Sequence, residues 1–426
     1  AADHAFAMPN QLGPLRTARA FAIVHIAIFD AVNAIAGGYR SYTRLGHVTD
    51  LTSADAAVAQ AAHDTLAWLF PSQISSFDML LAEDLSRIRA GRAKQNGIDL
   101  GKRAARAILT QRASDDAAHS DEHYGAPDYM PATGANQWHQ DPISLIPIAL
   151  GSRWDELVAP FVLTSATQFP ILPPPAAGSA AFIAAFDEAK NYGGCGDAPT
   201  ADCAAGFGGS STATMRTATQ SQSGIFWGYD GTPGLGTPPR MYNQIAVQIA
   251  EQEGSSGVEL ARLLALINVA MADAGLAAWQ VKYDYEFGRP ITAIREAGFS
   301  TWTPLGAPAS NKIGPNFTPP FPAYASGHAT FGAALFQILR KFYGTDRIRF
   351  TFVSDEFNGM TKDNTGMPRS LLPRSFSSLS HAEEENGQSR IYLGIHWAFD
   401  KTEGISQGRR VADYVLKNVF TPLHRR

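Results

Sequence analysis

The chain has 426 residues, of which 45% are hydrophobic and 17% charged, and its formal net charge is -4 at pH 7. This composition is typical of a globular protein with a large core, and the slight negative charge argues against nucleic acid or an anionic membrane as a partner. No stretch approaches the roughly 18 uncharged apolar residues that a membrane span needs, so we expect no span. Any strongly positive potential must therefore be local.

The N-terminal half of the chain is predicted to be helical. Residues 14–36 are apolar nearly all round and end at two glycines, which predicts a central helix that contains His25 as a satisfied core histidine. Apolar periodicity predicts three amphipathic helices after it, at residues 53–70, 72–90 and 98–112. Residues 115–175 are rich in aspartate and then in proline, and are predicted to be loop.

The second half continues this pattern, with helices predicted at residues 179–192, 210–227, 241–251, 257–285 and 329–342. Residues 228–240 are rich in glycine and proline and are predicted to be loop. Strand signals are scarce, and only residues 347–353 alternate convincingly. No repeat and no flexible linker divides the chain. We therefore predict one all-α domain over residues 1–426, a helical bundle with long loops whose halves are 1–225 and 226–426.

The two cysteines, Cys195 and Cys203, lie in a glycine-rich segment with seven residues between them. If oxidised, they close a small ring worth on the order of 2–3 kcal/mol. No histidine lies beside them, which argues against a zinc site. We expect a disulfide, and with it a secreted or periplasmic protein, while two free thiols are the alternative. The chain begins at Ala1 without an initiator methionine, as a processed export substrate or a trimmed chain would.

Three polar clusters stand out in the second half, at residues 282–290, 322–328 and 389–400. Together they bring a lysine, two arginines, a Ser-Gly turn and two histidines into a region whose other residues mostly build core. Three fixed cations with a hydroxyl and a free backbone N–H describe a pocket for a tetrahedral oxyanion. The clusters therefore predict an anion-binding site.

The first cluster contains Lys282 and Arg289 at the end of a long predicted helix. Seven residues are nearly two helical turns, so both side chains would leave one face if the helix extends that far. Pro290 limits its length. The alternative is a solvated basic pair balanced by Asp284 and Glu286.

The second cluster is Ser326-Gly327-His328, immediately before the helix predicted at 329–342. Ser326 occupies an N-cap position, where the neighbouring N–H groups point outward at the positive end of the helix dipole. Gly327 would let the backbone approach an anion, with the imidazole of His328 beside it. The alternative is a helix cap and nothing more.

The third cluster contains Arg390, His396 and Asp400. If this stretch is helical, the four-residue step puts Asp400 on the same face as His396. A carboxylate that accepts from one imidazole nitrogen fixes the tautomer and leaves the other nitrogen as a ligand or nucleophile. A purely structural His–Asp pair would use the same spacing.

The order Lys-x6-Arg-Pro, Ser-Gly-His and Ser-Arg-x5-His-x3-Asp resembles the signature shared by the vanadium-dependent haloperoxidases and the type-2 phosphatidic acid phosphatases. Further segments, at residues 236–244, 270–275 and 317–324, are similar to the haloperoxidases. The resemblance is strong from about Phe226 to Asp400 and thinner before it. It implies a helical-bundle fold of the haloperoxidase and acid phosphatase type.

The resemblance also implies how vanadate would be bound as the cofactor. Lys282, Arg289 and Arg390 would bind its equatorial oxygens. Ser326 and the N–H of Gly327 would complete the cradle.

The same resemblance implies the catalytic groups. His396 would be the axial ligand to vanadium, oriented by Asp400, and His328 the acid–base group near the apical oxygen. Asp230, in the loop before the 236–244 segment, would be the salt-bridge partner of Arg390.

Two aromatic residues, Trp279 and Phe321, fall where the haloperoxidases line their halide site, and bromoperoxidases often have histidine at the second position. One departure from the signature is Ala325, which stands where a proline is usual before Ser-Gly-His, so we expect a less rigid turn. The resemblance does not fix whether chloride, bromide or iodide is preferred.

The activity implied is oxidation of a halide by hydrogen peroxide to hypohalous acid, with or without an organic acceptor. The alternative in the same pocket is an acid phosphatase. In it His396 attacks phosphorus, Asp400 holds the imidazole of His396, and His328 protonates the leaving oxygen. A non-enzymatic phosphate- or vanadate-binding protein would need neither His328 nor a paired Asp400. The oligomeric state stays open, because so apolar a helical chain could hide a dimer face.

Overall fold

A computed structural model describes residues 13–125, 127–196 and 212–423. In these ranges the chain is mainly helical, and the prediction of an all-α helical-bundle fold is confirmed. The helices are α1 Gly13–Ala36, α2 Ala54–Leu69, α3 Ile74–Ser86, α4 Arg92–Gln111, α5 Trp154–Leu157, α6 Ala180–Gly193, α7 Ala218–Phe226, α8 Pro238–Gln252, α9 Gly257–Tyr285, α10 Pro290–Glu296, α11 Gly327–Tyr343, α12 Leu379–Tyr392 and α13 Ala398–Asn418.

Two small antiparallel sheets accompany the helices. In the first, β1 (Glu122–His123) pairs with β2 (Ile148–Ala149). In the second, β3 (Phe350–Asn358) pairs with β4 (Leu371–Phe376), with a register shift between Val353 and Asn358. The predicted strand at 347–353 is therefore real but begins and ends later. Its partner was missed because β4 is short, exposed on one face, only partly buried on the other and interrupted by a proline.

The core is centred on α1 and α9, which pack against each other and are apolar on nearly every side. Helix α11 lies against α9 and α13 at very short range. A Cβ at Gly275 of α9 would lie 2.6 Å from the Phe331 ring, and one at Gly408 of α13 would lie 2.2 Å from the Thr330 carbonyl oxygen. These glycines let α11 approach closely, which brings its N-terminus to the end of α9.

Helices α1 and α9 are long and apolar enough to cross a membrane by length and composition. Neither contains the run of about 18 uncharged residues considered above, because Asp30 interrupts α1 and Asp273 interrupts α9. The two apolar segments are 78% and 83% buried inside the fold, as is typical of core helices. The absence of a membrane span stays a prediction.

Several element boundaries differ from those predicted. Helix α4 begins six residues before the predicted start, and α8 begins at Pro238 inside the predicted loop. Helix α7 begins only at Ala218, where Thr217 and Gln220 form a capping box. Cys203 lies outside the described residues, so its pairing with Cys195 stays a prediction, as does the single domain over residues 1–426.

Candidate active site

The three polar clusters meet at a small cavity at the ends of α9, α11 and α12. Two aromatic rings, Trp279 and Phe321, form part of its wall. The predicted site residues that line it with them are Asp230, Gly327, His328, Arg390 and His396. The other predicted cations and Ser326 lie directly behind this wall and are fully buried.

Arg390 is 1% exposed and has only part of its guanidinium satisfied. Its Nη2 donates to Oδ1 of Asp230 at 2.7 Å, which is the partner that the resemblance implies. Its Nε and Nη1 are buried and have no hydrogen-bond partner among the described residues. Burial raises the pKa of Asp230 despite the neighbouring arginine. Buried N–H donors without acceptors are costly, so this edge of Arg390 fits a bound anion.

Arg289 does not extend from the same helix as Lys282, contrary to the two-turn argument. Helix α9 ends at Tyr285, because Glu286 adopts a left-handed backbone with φ 43°, and Arg289 is the N-cap residue of α10. Its Nε donates to the Phe321 carbonyl at 2.9 Å. Burial lowers the pKa of Arg289 to about 9.

The other end of the Arg289 guanidinium contacts the third cluster. Its Nη1 donates to the Ile395 carbonyl at 2.8 Å and lies 2.9 Å from Nε2 of His396. The side chain also faces the Phe321 ring, 4.9 Å from its centroid. The first and third clusters are thus joined by a direct hydrogen bond.

Lys282 lies in the last turn of α9 and is also fully buried. Its Nζ donates to the carbonyls of Pro322 and Ala323 at 2.8 and 2.9 Å, and lies 5.4 and 5.1 Å from the ring centroids of Trp279 and Phe321. Burial, together with Arg289 nearby, lowers the pKa of Lys282 well below its ordinary value. The alternative of a solvated basic pair is therefore wrong.

His396 and Asp400 form the predicted pair, with 2.7 Å between Nδ1 and Oδ2. They do not lie on one helix, because α12 ends before His396 and α13 begins after it. Asp400 stands in the first turn of α13, and its Oδ2 also accepts from the Trp397 backbone N–H at 3.0 Å. With Nδ1 donating to the carboxylate, Nε2 of His396 is left as an acceptor.

The charges around this pair are shifted by burial. Burial and the nearby cations Arg289 and Lys282 lower the pKa of His396 well below its ordinary value. Burial raises the pKa of Asp400 to about 7. His396 is therefore neutral near pH 7, as a ligand or a nucleophile must be.

The second cluster caps α11 as predicted. The Ser326 hydroxyl accepts from the Ala329 N–H at 3.4 Å, and the Ser326 N–H donates to the Asp400 carbonyl at 3.1 Å. Gly327 is pressed against Trp279, since a Cβ there would lie 3.1 Å from the indole ring. The predicted contact of the Gly327 N–H with an anion stays a prediction.

His328 projects from the first turn of α11 into the cavity wall. Its Nε2 lies 2.7 Å from the Gly228 carbonyl oxygen, which makes Nε2 the protonated nitrogen and leaves Nδ1 as an acceptor. Burial, with Arg390 nearby, lowers the pKa of His328 well below its ordinary value. The carbonyl partner was not predicted, because residues 228–240 looked like an ordinary loop.

The predicted halide residues are in contact with each other. The ring centroids of Trp279 and Phe321 are 4.9 Å apart, and Trp279 Nε1 donates to the Leu150 carbonyl at 3.0 Å. Phe331 also packs against Trp279, with 6.0 Å between ring centroids. In the described ranges, no group of three or more His, Cys, Asp or Glu side chains could hold a metal cation. The site is thus a basic pocket beside an aromatic wall.

Comparison with known proteins supports the same region. Residues 262–424 match a family model described as the second helical-bundle domain of VCPO. The chain is 39% identical over 252 residues to the vanadium chloroperoxidase of Curvularia inaequalis. That alignment covers 50% of this chain and 41% of the relative, so the chain spans less than half of the relative's length. All predicted site residues except Asp230 lie inside the matched 262–424 segment.

Solved structures extend the likeness to the whole chain. A bacterial vanadium-dependent iodoperoxidase superposes with a TM-score of 0.76 and 24% identity, covering 100% of this chain and 96% of that one. An apo-type bacterial vanadium-dependent chloroperoxidase superposes with a TM-score of 0.68 and 15% identity, covering 95% and 93%. The chain therefore has the helical fold of the vanadium-dependent haloperoxidases.

Proposed function

We propose that this chain, whose residues 262–424 match the model of the second helical-bundle domain of VCPO, is a vanadate-dependent haloperoxidase. It would oxidise a halide with hydrogen peroxide to hypohalous acid. The proposal rests above all on one observation: three buried cations surround His396, and only one of them has a carboxylate partner. Arg390 pairs with Asp230, whereas neither Lys282 nor Arg289 has a carboxylate within ion-pair distance in the described part of the chain.

Buried cations without counter-charges are unfavourable, as the lowered pKa values of Lys282 and Arg289 reflect. A multiply charged oxyanion would stabilise them and accept from the two unpartnered donors of Arg390. The donor set of lysine, two arginines and a helix N-terminus fits vanadate, and His396 Nε2 supplies the one nitrogen ligand that it would need. Bound vanadate would supply a Lewis-acidic centre that activates hydrogen peroxide toward attack by a halide.

Each side chain of the site would have its own role in the reaction. Asp400 holds His396 in the tautomer that presents Nε2, and Arg289 and Arg390 orient the oxyanion. His328 takes or returns a proton at Nδ1, because the Gly228 carbonyl engages its other nitrogen. Lys282 lies behind the aromatic wall and adds positive charge where negative charge develops.

The aromatic wall gives the halide a place to bind. Trp279 and Phe321 cover Lys282, and an anion beside their positively polarised ring edges is partly stripped of water. This wall is the feature that separates the peroxidase from the phosphatase alternative, since the His396–Asp400 pair serves both chemistries equally well. The 39% identity to the Curvularia inaequalis chloroperoxidase, in an alignment that covers 50% of this chain, supports the same choice.

The test is a paired assay of the purified chain. Protein loaded with orthovanadate is given hydrogen peroxide and chloride, bromide or iodide in turn, and metal-free protein is given phosphate esters. We expect halogenation that requires vanadate and is inhibited by phosphate. Ester hydrolysis that vanadate abolishes, without oxidation of any halide, would establish the phosphatase and overturn the proposal.

We also propose that the chain works outside the cytoplasm, secreted or periplasmic. The support is the pair of cysteines, which suits an oxidising compartment. Thiol titration of the denatured, unreduced protein tests it: two titratable thiols in protein recovered from its native compartment would count against export.

A further inference from the structure

Three consecutive residues, Gly228, Tyr229 and Asp230, connect two site residues that lie on different helices. The Gly228 carbonyl accepts from Nε2 of His328 at 2.7 Å, and Asp230 accepts from Arg390 at 2.7 Å. Between them, Tyr229 has a left-handed backbone with φ 51°, a conformation that costs a non-glycine residue free energy. Something outside this loop must hold it in place.

Strand β3 supplies that support through three successive residues. The Ser354 hydroxyl donates to the Phe226 carbonyl at 2.7 Å, just before the loop. The Asp355 N–H donates to the Tyr229 hydroxyl at 2.8 Å. Oε1 of Glu356 accepts from the Tyr229 N–H at 3.2 Å. Of the three, only Glu356 holds the loop backbone between the two site contacts.

The Glu356 carboxylate is itself fixed and fully buried. Its Oε2 accepts from the Ser310 hydroxyl at 2.5 Å and from Nη1 of Arg369 at 2.8 Å, and the same Nη1 donates to the Ser310 oxygen at 2.8 Å. A Cβ at Gly228 would lie only 2.5 Å from Oε1 of Glu356, so the carboxylate packs directly against the loop backbone. Burial raises the pKa of Glu356 to about 7.

We propose that Glu356 is a positioning residue of the oxyanion site. It holds the loop so that the Gly228 carbonyl fixes the tautomer of His328 and Asp230 directs Arg390. Glu356 contacts neither side chain and acts only through the loop. The effect on vanadate binding rests on the proposed function, whereas the effect on the His328 tautomer does not.

The test compares Glu356→Gln with a matched variant, Glu383→Gln. Glu383 is also a buried glutamate, 1% exposed and paired with Arg340 and Arg409, but it lies away from the cavity on α12. Glutamine at 356 either points its amide NH2 group toward Arg369 or replaces the oxygen that accepts from the Tyr229 N–H. Glutamine at 383 disturbs only the two structural ion pairs with Arg340 and Arg409. Both variants should unfold more easily than wild type.

Nitrogen-15 NMR of the imidazoles, without vanadate, gives the first readout. Wild type and Glu383→Gln should show His328 in a single tautomer with the proton on Nε2, and Glu356→Gln should show a mixture. Equilibrium vanadate binding gives the second readout, with affinity falling about 10- to 100-fold in Glu356→Gln, as is usual when an outer partner of a binding group is lost. The Glu383 variant should stay near wild type.

An unchanged tautomer together with wild-type vanadate affinity in Glu356→Gln would overturn the proposal. If wild-type protein binds no vanadate, the proposed function fails, and the tautomer alone decides the role of Glu356. If Glu356→Gln does not fold, Ser310→Ala replaces it. That variant removes one partner of the carboxylate and should show the same mixture of tautomers, and a single tautomer there would count against the proposal.

Discussion

Nη1 of Arg289 donates to Nε2 of His396 across 2.9 Å, so the nitrogen proposed to bind vanadium already carries a hydrogen bond. The Asp400 carboxylate holds the opposite ring nitrogen at 2.7 Å, which leaves the imidazole clamped from both sides. If vanadate is bound at Nε2 as proposed, this hydrogen bond must break. We therefore expect the Arg289 guanidinium to turn from the imidazole ring toward the oxyanion.

We expect Arg289→Ala to weaken vanadate binding about 10- to 100-fold, because a charge-assisted hydrogen bond to the oxyanion is lost. The pKa of His396 should rise toward its ordinary value, since Arg289 is one of the cations that lower it. Equilibrium binding and NMR titration of the histidine measure the two effects.

The matched control for this variant is Arg216→Ala. Arg216 is a partly buried arginine that donates to the carbonyls of Tyr192, Gly194 and Tyr392, away from the cavity. Its loss should reduce stability and leave vanadate affinity near that of wild type. Equal losses of affinity in both variants would mean that Arg289 acts through the fold.

Replacing His328 should separate turnover from binding. In His328→Ala the proton-transfer group is lost while the cations and His396 remain, so we expect kcat to fall about 10²- to 10⁴-fold with little change in vanadate affinity. Steady-state halide oxidation and equilibrium vanadate binding measure the two quantities.

His396→Ala is the contrasting variant, because it removes the ligand nitrogen itself and should abolish tight binding. A His328→Ala protein that kept all measurable function would favour an oxyanion-binding protein over an enzyme. Loss of affinity in His328→Ala as large as in His396→Ala would assign His328 to binding.

Phe321→His should shift the halide preference away from chloride. The Phe321 ring covers Lys282 and Arg289 at 5.1 and 4.9 Å, so the change replaces an apolar cation–ring contact by a polar, hydrated group. Chloride is more strongly hydrated than bromide, so chloride binding depends more on an apolar wall that excludes water. We expect the chloride to bromide ratio of kcat/KM to fall about 2- to 30-fold, in line with the energy of such contacts.

Phe317→His, which places the same ring elsewhere in the cavity wall, is its control. It should change the ratio much less than Phe321→His. Similar ratios in the two variants would mean that polarity anywhere in the cavity sets the preference and that the position over the cations has no special role.

Sequence alone predicted what depends on local pattern. Ser326 was recognised as an N-cap and residues 257–285 as a helix, because capping and periodicity are properties of neighbouring residues. The prediction of a helix from residue 210 was wrong because contacts with distant residues determine the conformation there. In its described part, residue 212 pairs with Gly196 and Arg216 binds distant carbonyls, which keeps this stretch extended. Contacts with distant residues produce no pattern in the neighbouring sequence, so they could not be predicted from it.

The site shows the same division. The types of residue at the anion pocket could be named from three motifs, but their partners could not. Lys282 binds carbonyls 40 and 41 residues away, and Glu356 binds a backbone N–H 127 residues before it. His25 is a further case: it was predicted to be a satisfied core histidine, yet its Nδ1 is buried beside Phe21 without a hydrogen-bond partner in the described part of the chain.

The buried Nδ1 of His25 predicts a pH-dependent stability. Burial lowers the pKa of His25 to about 4, below its ordinary value of 6.5, so the folded chain binds this proton more weakly than the unfolded chain does. Its contribution to stability is present above pH 6.5 and is lost as the pH falls toward 4. In His25→Leu we expect the free energy of unfolding to fall less over this window, by at most about 3 kcal/mol, measured by urea titration at each pH. The exposed His47→Leu should follow wild type, and a His25→Leu profile parallel to wild type would show that folding does not lower the pKa of His25.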